Sequence, residues 1–133
     1  MKPFKPKGFT LLEVMIAVIV IGVGLLAMLL ANTAIQRTSE AAYERMVATQ
    51  DAHRVIELMR NTSLNGNFPG NVTAAYPNGA AVPGFNNLTG EQVVVAYVNT
   101  TADPLDLTIT THWLELGRRN TSLQLRTLMT RRT

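Results

Sequence analysis

The sequence predicts an α+β fold, in which one long N-terminal helix, apolar in its first half and amphipathic in its second, packs on a small C-terminal antiparallel β-sheet. Three observations predict it: an uncharged apolar run at residues 14–31, a segment without Pro or Gly at 32–60, and β-rich segments across residues 91–130. The chain has 133 residues, enough for one small domain.

The apolar run is the first element. The only charged residue between positions 9 and 31 is Glu13. As a helix, this stretch would span roughly 34 Å at about 1.5 Å per residue, which is enough to cross a hydrocarbon core of about 30 Å. Lysines precede the run and Arg37 is the first basic residue after it, so the positive-inside rule places the N-terminus in the cytoplasm. Hydropathy alone leaves open an uncleaved anchor or a secretory signal, although the run is long for a secretory signal.

The distribution of charge and the composition narrow the classes of function. All three lysines lie within residues 1–8, and beyond them nine arginines balance nine acidic residues. This distribution argues against a globally basic nucleic-acid-binding protein. The chain has no cysteine, which excludes disulfides, cysteine-based zinc sites and thiol nucleophiles. The sequence also shows no Ser/His/Asp set, metal triad or phosphate loop, so we predict that the protein is not an enzyme and needs no cofactor.

A specific motif stands at the start of the apolar run. The segment GFTLLEV, residues 8–14, follows a short basic leader and places a glutamate five positions after the glycine. It resembles the class III signal of bacterial type IV prepilins and type II secretion pseudopilins, the GFTLxE pattern. The resemblance implies a pilin-like fold, cleavage by prepilin peptidase between Gly8 and Phe9, N-methylation of Phe9, and a role for Glu13 in assembly.

The chemistry of Gly8 and of Glu13 agrees with these roles. Gly8 lets the backbone lie extended in a protease site, and cleavage there would remove all the lysines. Glu13 would cost up to about 3 kcal/mol at mid-membrane and less near the helix end, so we expect it to have a partner. The new amine of a neighbouring subunit, at about 4 Å and an effective dielectric near 20, would gain roughly 4 kcal/mol before desolvation. Alternatively, Glu13 only complements the dipole of its own helix.

The resemblance also implies a location and a set of partners. They are prepilin peptidase, other pilins in a homo- or hetero-filament, the inner-membrane assembly platform and the membrane itself. The chain would cross the bacterial inner membrane once, with the C-terminal domain outside, and would end in a periplasmic or extracellular filament. Within this scheme, residues 1–8 are the cleaved leader and residues 9–31 form the transmembrane and filament-core helix.

The helix is expected to continue as an amphipathic segment over residues 32–63. Ile35, Ala42, Met46, His53 and Ile56 fall on one face, and an alanine-rich flank of Ala34, Ala41, Ala48, Ala52 and Met59 lies beside it. This wide apolar surface is suited to covering a sheet. His53 is interpreted as a core or rim histidine, since no second potential ligand shares its face.

A loop and an antiparallel sheet are predicted for the rest of the chain. Residues 64–90 are rich in Asn, Gly and Pro and are expected to form a long irregular loop. Strands are predicted at 91–99, 106–116 and 120–130 within a sheet over 91–133, with a hairpin turn at 117–120. In the last strand, we expect the apolar face to shift before Leu128 and Met129. Trp113, the only tryptophan, is expected to anchor the core.

Three functions are consistent with these features. The C-terminal hairpin resembles that of minor pilins of the type IV pilus modification class (the PilV group), which favours a structural minor pilin assembled into a pilus or priming it. A type II secretion pseudopilin is the alternative, because its minor subunits share the LLEV start. The third is a DNA-binding pilin of an uptake machine, in which Arg118 and Arg119 would contact phosphates; otherwise these arginines form a solvated hairpin tip.

Overall fold

The structure, a computed structural model, describes residues 8–64 and 66–131. The residues before Gly8, which make up most of the predicted leader, lie outside this part of the chain. The chain divides into two compact units, Met1–Thr38 and Ser39–Thr133; the second is called the head unit below. The elements in chain order are α1 Leu11–Leu64, α2 Gly70–Ala75, β1 Ala81–Val82, β2 Gln92–Tyr97, β3 Leu105–Glu115 and β4 Arg119–Met129. This arrangement confirms the predicted α+β class.

Helix α1 begins two residues after the predicted start and ends one residue after the predicted end, at Leu64. Its sequence explains the length, because no proline interrupts it and Ala, Leu and Met, which favour helices, recur throughout. Gly22 and Gly24 lie inside the helix without ending it. A helix of this length without an internal proline is typical of a chain that crosses a membrane or forms a helical bundle.

The sheet is fully antiparallel, with the strand order β1-β2-β3-β4. The three predicted strands are confirmed, with their ends displaced by one or two residues. The region expected to be a loop also contains α2 and β1, neither of which the composition predicts. Strand β1 pairs Ala81 with Val94 and Val82 with Val93. Because it has only two residues, its sequence cannot show the alternation that identifies a strand.

The core of the head unit lies between one face of the sheet and one face of α1. On β3, Leu107, Ile109 and Trp113 are buried, as the alternation predicts. On α1, the buried apolar residues are Ala48, Ala52, Val55, Ile56 and Met59. Trp113 is 2% exposed, which confirms it as a core residue.

The predicted principal face of α1 is wrong at four of its five positions; the fifth, Ile56, is buried as predicted. Ile35, Ala42, Met46 and His53 are exposed or only partly covered, while the predicted alanine-rich flank supplies much of the buried face. Both faces carry apolar residues at helical spacing, so periodicity could not decide between them. Small alanine side chains let the backbone of α1 approach the sheet closely, which favours the flank. His53 is exposed and is therefore not a core residue.

Two details of the last hairpin also differ from the prediction. The face does not shift near the end of β4: the pairing with β3 is unbroken from Glu115↔Arg119 to Leu105↔Met129, so Met129 is buried and Leu128 is exposed. The turn is formed by residues 116–118, earlier than expected. Leu116 and Gly117 both have positive φ, 52° and 66°, a conformation that glycine adopts without steric cost.

Candidate assembly site

The first helical turn is fixed by Thr10. Gly8, Phe9 and Thr10 are not helical, and α1 starts directly after them. The carbonyl oxygen of Thr10 accepts hydrogen bonds from the N–H groups of Glu13 at 3.1 Å and Val14 at 3.2 Å. Its side-chain Oγ1 also accepts from the Glu13 N–H at 3.3 Å. Thr10 is therefore the N-cap of α1. This role is absent from the sequence-based prediction, although Thr10 followed three positions later by Glu13 is the sequence pattern of a capping box.

Glu13 lies in the first turn of α1, where a negative charge interacts favourably with the positive end of the helix dipole. Its side chain is exposed. Its backbone N–H is already bonded to Thr10, and its carboxylate has no hydrogen bond or ion pair with any other residue of 8–64 or 66–131. The carboxylate is thus available to a group from outside the chain.

The predicted processing residues lie immediately before this turn. Gly8 and Phe9 are exposed, Phe9 to 82%, and apart from the chain neighbours of Gly8 no described residue lies within 4 Å of where a Cβ on Gly8 would stand. The structure therefore brings Gly8, Phe9 and Glu13 into one short exposed segment. The backbone of residues 8–9 is non-helical.

The apolar part of α1 is uncovered along its whole length. Every large apolar side chain from Leu11 to Leu30 is at least 50% exposed. An 18-residue window of this helix has a mean hydropathy of 3.0, and none of it is buried within the protein. Exposed apolar surface of this extent marks a membrane or protein contact. By length and composition, α1 can cross a bilayer.

In the head unit, Glu44 on α1 holds the β3–β4 hairpin. Its carboxylate accepts a hydrogen bond from the Nε1–H of Trp113 at 3.2 Å and from the backbone N–H of Leu116 at 3.1 Å. The neighbouring Arg45 forms an ion pair with Glu115 at 3.1 Å. These contacts join residues about 70 positions apart in sequence, so no local pattern could have revealed them.

Asp51 on α1 fastens the segment after β1 to the helix, and Glu91 closes a turn within that segment. Asp51, 4% exposed, accepts from the side-chain amide of Asn87 at 2.9 and 3.0 Å. Glu91 accepts from the backbone N–H groups of Asn87 at 2.7 Å and Leu88 at 3.1 Å. Burial raises the pKa of Glu91, and the nearby charge of Asp51 raises it further. Helical periodicity places Asp51 on the charged side of α1, and no local pattern indicates its pairing with Asn87.

The arginines near the C-terminus have different surroundings. Arg126 donates to Asp106, with its Nε 2.9 Å from Oδ1, and this hydrogen bond lowers the pKa of the Asp106 carboxyl. Arg118 and Arg119 are exposed at the hairpin end, and their side chains form no ion pair with the described residues. They are therefore available to an external anion, whereas Arg126 is already neutralised.

A comparison with known families finds one match. A family described as the prokaryotic N-terminal methylation motif matches residues 4–29. The matched part contains Gly8, Phe9, Thr10 and Glu13 and most of the apolar run. No curated protein and no solved structure matches the chain. The motif supports a type IV pilin-like protein that is structural rather than catalytic, is processed by prepilin peptidase, is anchored in a membrane and assembles with other pilins.

Proposed function

We propose that this chain is a minor type IV pilin. Prepilin peptidase cuts it between Gly8 and Phe9 and methylates the new N-terminus at Phe9. The mature chain then assembles into a pilus filament or primes one. The observation that carries this proposal is the carboxylate of Glu13, which has no partner among the described residues. It lies in the first turn of α1, and the large apolar side chains of this helix from Leu11 to Leu30 are all exposed.

Cleavage changes the forces that hold the chain in the membrane. Before cleavage, Lys2, Lys5 and Lys7 keep the N-terminus on the cytoplasmic side. Afterwards the helix begins with one amine and carries one carboxylate. The C-terminal domain lies outside the inner membrane, and α1 is then free to leave the bilayer for a bundle of similar helices.

Assembly would give the Glu13 carboxylate an ion-pair partner that the bilayer does not offer. Glu13 costs up to about 3 kcal/mol inside the membrane, depending on depth. The N-terminal amine of a neighbouring subunit offers the opposite charge, and the pair gains roughly 4 kcal/mol at about 4 Å before desolvation. This gain favours a filament position in which Phe9 of one subunit lies beside Glu13 of another.

The test is to express the chain in a piliated host and to analyse sheared filaments by mass spectrometry. We expect a chain that begins at methylated Phe9. Glu13→Gln should be cleaved normally but incorporated poorly, whereas Glu40→Gln, which removes a charge from an exposed position further along α1, should be incorporated normally. An intact leader in assembled material would refute processing, and full incorporation of Glu13→Gln would refute the assembly role. Incorporation only into a secretion filament would identify a type II secretion pseudopilin instead.

A second candidate function rests on the exposed pair Arg118 and Arg119. A hairpin end with two exposed guanidinium groups fits a DNA-binding pilin, because phosphate contacts need little more than exposed cations. In a DNA-binding titration with the full chain, the double variant Arg118→Gln/Arg119→Gln should bind more weakly. Its plot of log K against log salt should also be shallower, with the magnitude of the negative slope smaller by about 0.9 for each phosphate that is no longer neutralised. Arg126→Gln is the matched control, since that arginine is held by Asp106. Equal binding by the double variant would remove this function.

A further inference from the structure

Thr10 separates the helical part of the N-terminal segment from the bond that is to be cut. Its carbonyl and side-chain oxygens both accept from the first turn of α1, so the helix starts at Leu11 and the backbone of residues 8–10 stays non-helical. The scissile Gly8–Phe9 bond of the proposed function lies just before this cap.

The bilayer makes this boundary important. In an apolar setting, the free N–H groups at a helix start are costly, and extending the helix by another turn would move them toward the aqueous side of the membrane. An extension from Leu11 toward the N-terminus would take Phe9 and Gly8 into helical conformation. The hydroxyl of Thr10 gives the Glu13 N–H a second acceptor at 3.3 Å, beside the Thr10 carbonyl oxygen at 3.1 Å, which removes part of the force for extension.

We propose that Thr10 is a positioning residue for proteolytic processing: by capping α1, it keeps the Gly8–Phe9 peptide bond in the non-helical form that the peptidase cuts. This inference rests on the proposed function. It also assigns the local capping of the Glu13 N–H to Thr10, which leaves the Glu13 carboxylate free for a partner. The two neighbouring polar residues of the apolar segment thus have separate roles, Thr10 within the chain and Glu13 between chains.

The experiment measures cleavage of the full-length chain, in nanodiscs, by purified prepilin peptidase. Thr10→Val keeps the size and branching of the side chain but removes the hydroxyl, and kcat/KM should fall by up to about fivefold, the factor expected from losing one N-cap. Thr10→Ser and Thr10→Asn restore a capping oxygen and should recover the native value. Thr33→Val is the matched control, because the Thr33 hydroxyl bonds the carbonyl of Leu30 within the helix and caps nothing.

A second measurement reports the cause. Backbone chemical shifts of isotope-labelled Gly8 and Phe9 in the uncleaved chain should move toward helical values in Thr10→Val and should stay native in Thr10→Ser. Native kcat/KM and native shifts in Thr10→Val would overturn the role of Thr10 while leaving the proposed function intact. Failure of the peptidase to cut any variant, including the native chain, would overturn both.

Discussion

Replacing Glu44 tests how the hairpin is held on α1. The carboxylate accepts hydrogen bonds from the Nε1–H of Trp113 and from the backbone N–H of Leu116. We expect Glu44→Ala to destabilise the head unit, because both donors lose their acceptor at once. Glu44→Gln keeps one acceptor oxygen in place and should have a smaller effect.

The magnitude follows from the burial of the two donors. Trp113 is 2% exposed, so its indole N–H would be left without a partner, at a cost of about 1–3 kcal/mol. The N–H of Leu116 is in an exposed turn where water can replace the carboxylate, which limits that loss to about 0.5–1 kcal/mol. We therefore expect Glu44→Ala to lower the free energy of unfolding by about 2–3 kcal/mol, and Glu44→Gln by about 1 kcal/mol.

The assay is urea unfolding of the full chain in a non-ionic detergent, followed by the fluorescence of its only tryptophan. With an m-value of about 1–2 kcal/mol/M, the midpoint of Glu44→Ala should fall by about 1–3 M urea. Glu40→Ala is the matched control: it removes the same side chain one turn earlier, at an exposed position with no hydrogen bond to other described residues. Equal midpoints for Glu44→Ala and Glu40→Ala would refute the inference that Glu44 holds the hairpin.

Two further variants test the core and the buried carboxylates. Met59 is fully buried, so Met59→Ala should lower the free energy of unfolding by about 2–5 kcal/mol, whereas Met46→Ala, on the exposed face of the same helix, should change it by less than about 0.5 kcal/mol. Similar losses at the two positions would contradict the assignment of the packed face. Glu91 has a pKa raised above its ordinary value of 4.5, so the folded state binds its proton more tightly and the native chain should lose stability as pH rises through that raised pKa. Glu91→Gln should lack this loss. If the urea midpoints of Glu91→Gln and of the native chain change in the same way as pH rises from 4.5 upward, the raised pKa of Glu91 is contradicted.

The parts of the fold that were predicted correctly depend on neighbours in sequence. The apolar run, the helix that continues it and the alternation of Leu107, Ile109 and Trp113 each show within a short stretch of chain. The prediction that Gly8, Phe9 and Glu13 act in processing and assembly also rests on local spacing. Thr10 could have been found by the same kind of reading, since its pattern with Glu13 is also local.

The parts that were missed depend on partners distant in sequence. Helix α1 offers two apolar faces, and only the position of the sheet decides which one is buried. The bond from Trp113 to Glu44 and the bond from Asn87 to Asp51 join residues that no periodicity relates. In β4, two adjacent apolar residues, Leu128 and Met129, suggest a shift of face. The register with β3 instead keeps Leu128 on the outer face, at 63% exposed.

The exposed half of α1 links the fold to the proposed function. Burying apolar surface is worth about 25 cal/mol per Å², yet the chain itself buries none of the apolar window of this helix. The favourable free energy must therefore come from outside the chain, from lipid or from other helices. Lipid alone does not stabilise Glu13, whose charge makes insertion less favourable. A bundle of helices can offer both apolar contact and an amine. Glu13→Gln should therefore bind the bilayer at least as strongly as the native chain while entering filaments less, and a parallel loss of membrane binding and incorporation would refute this division.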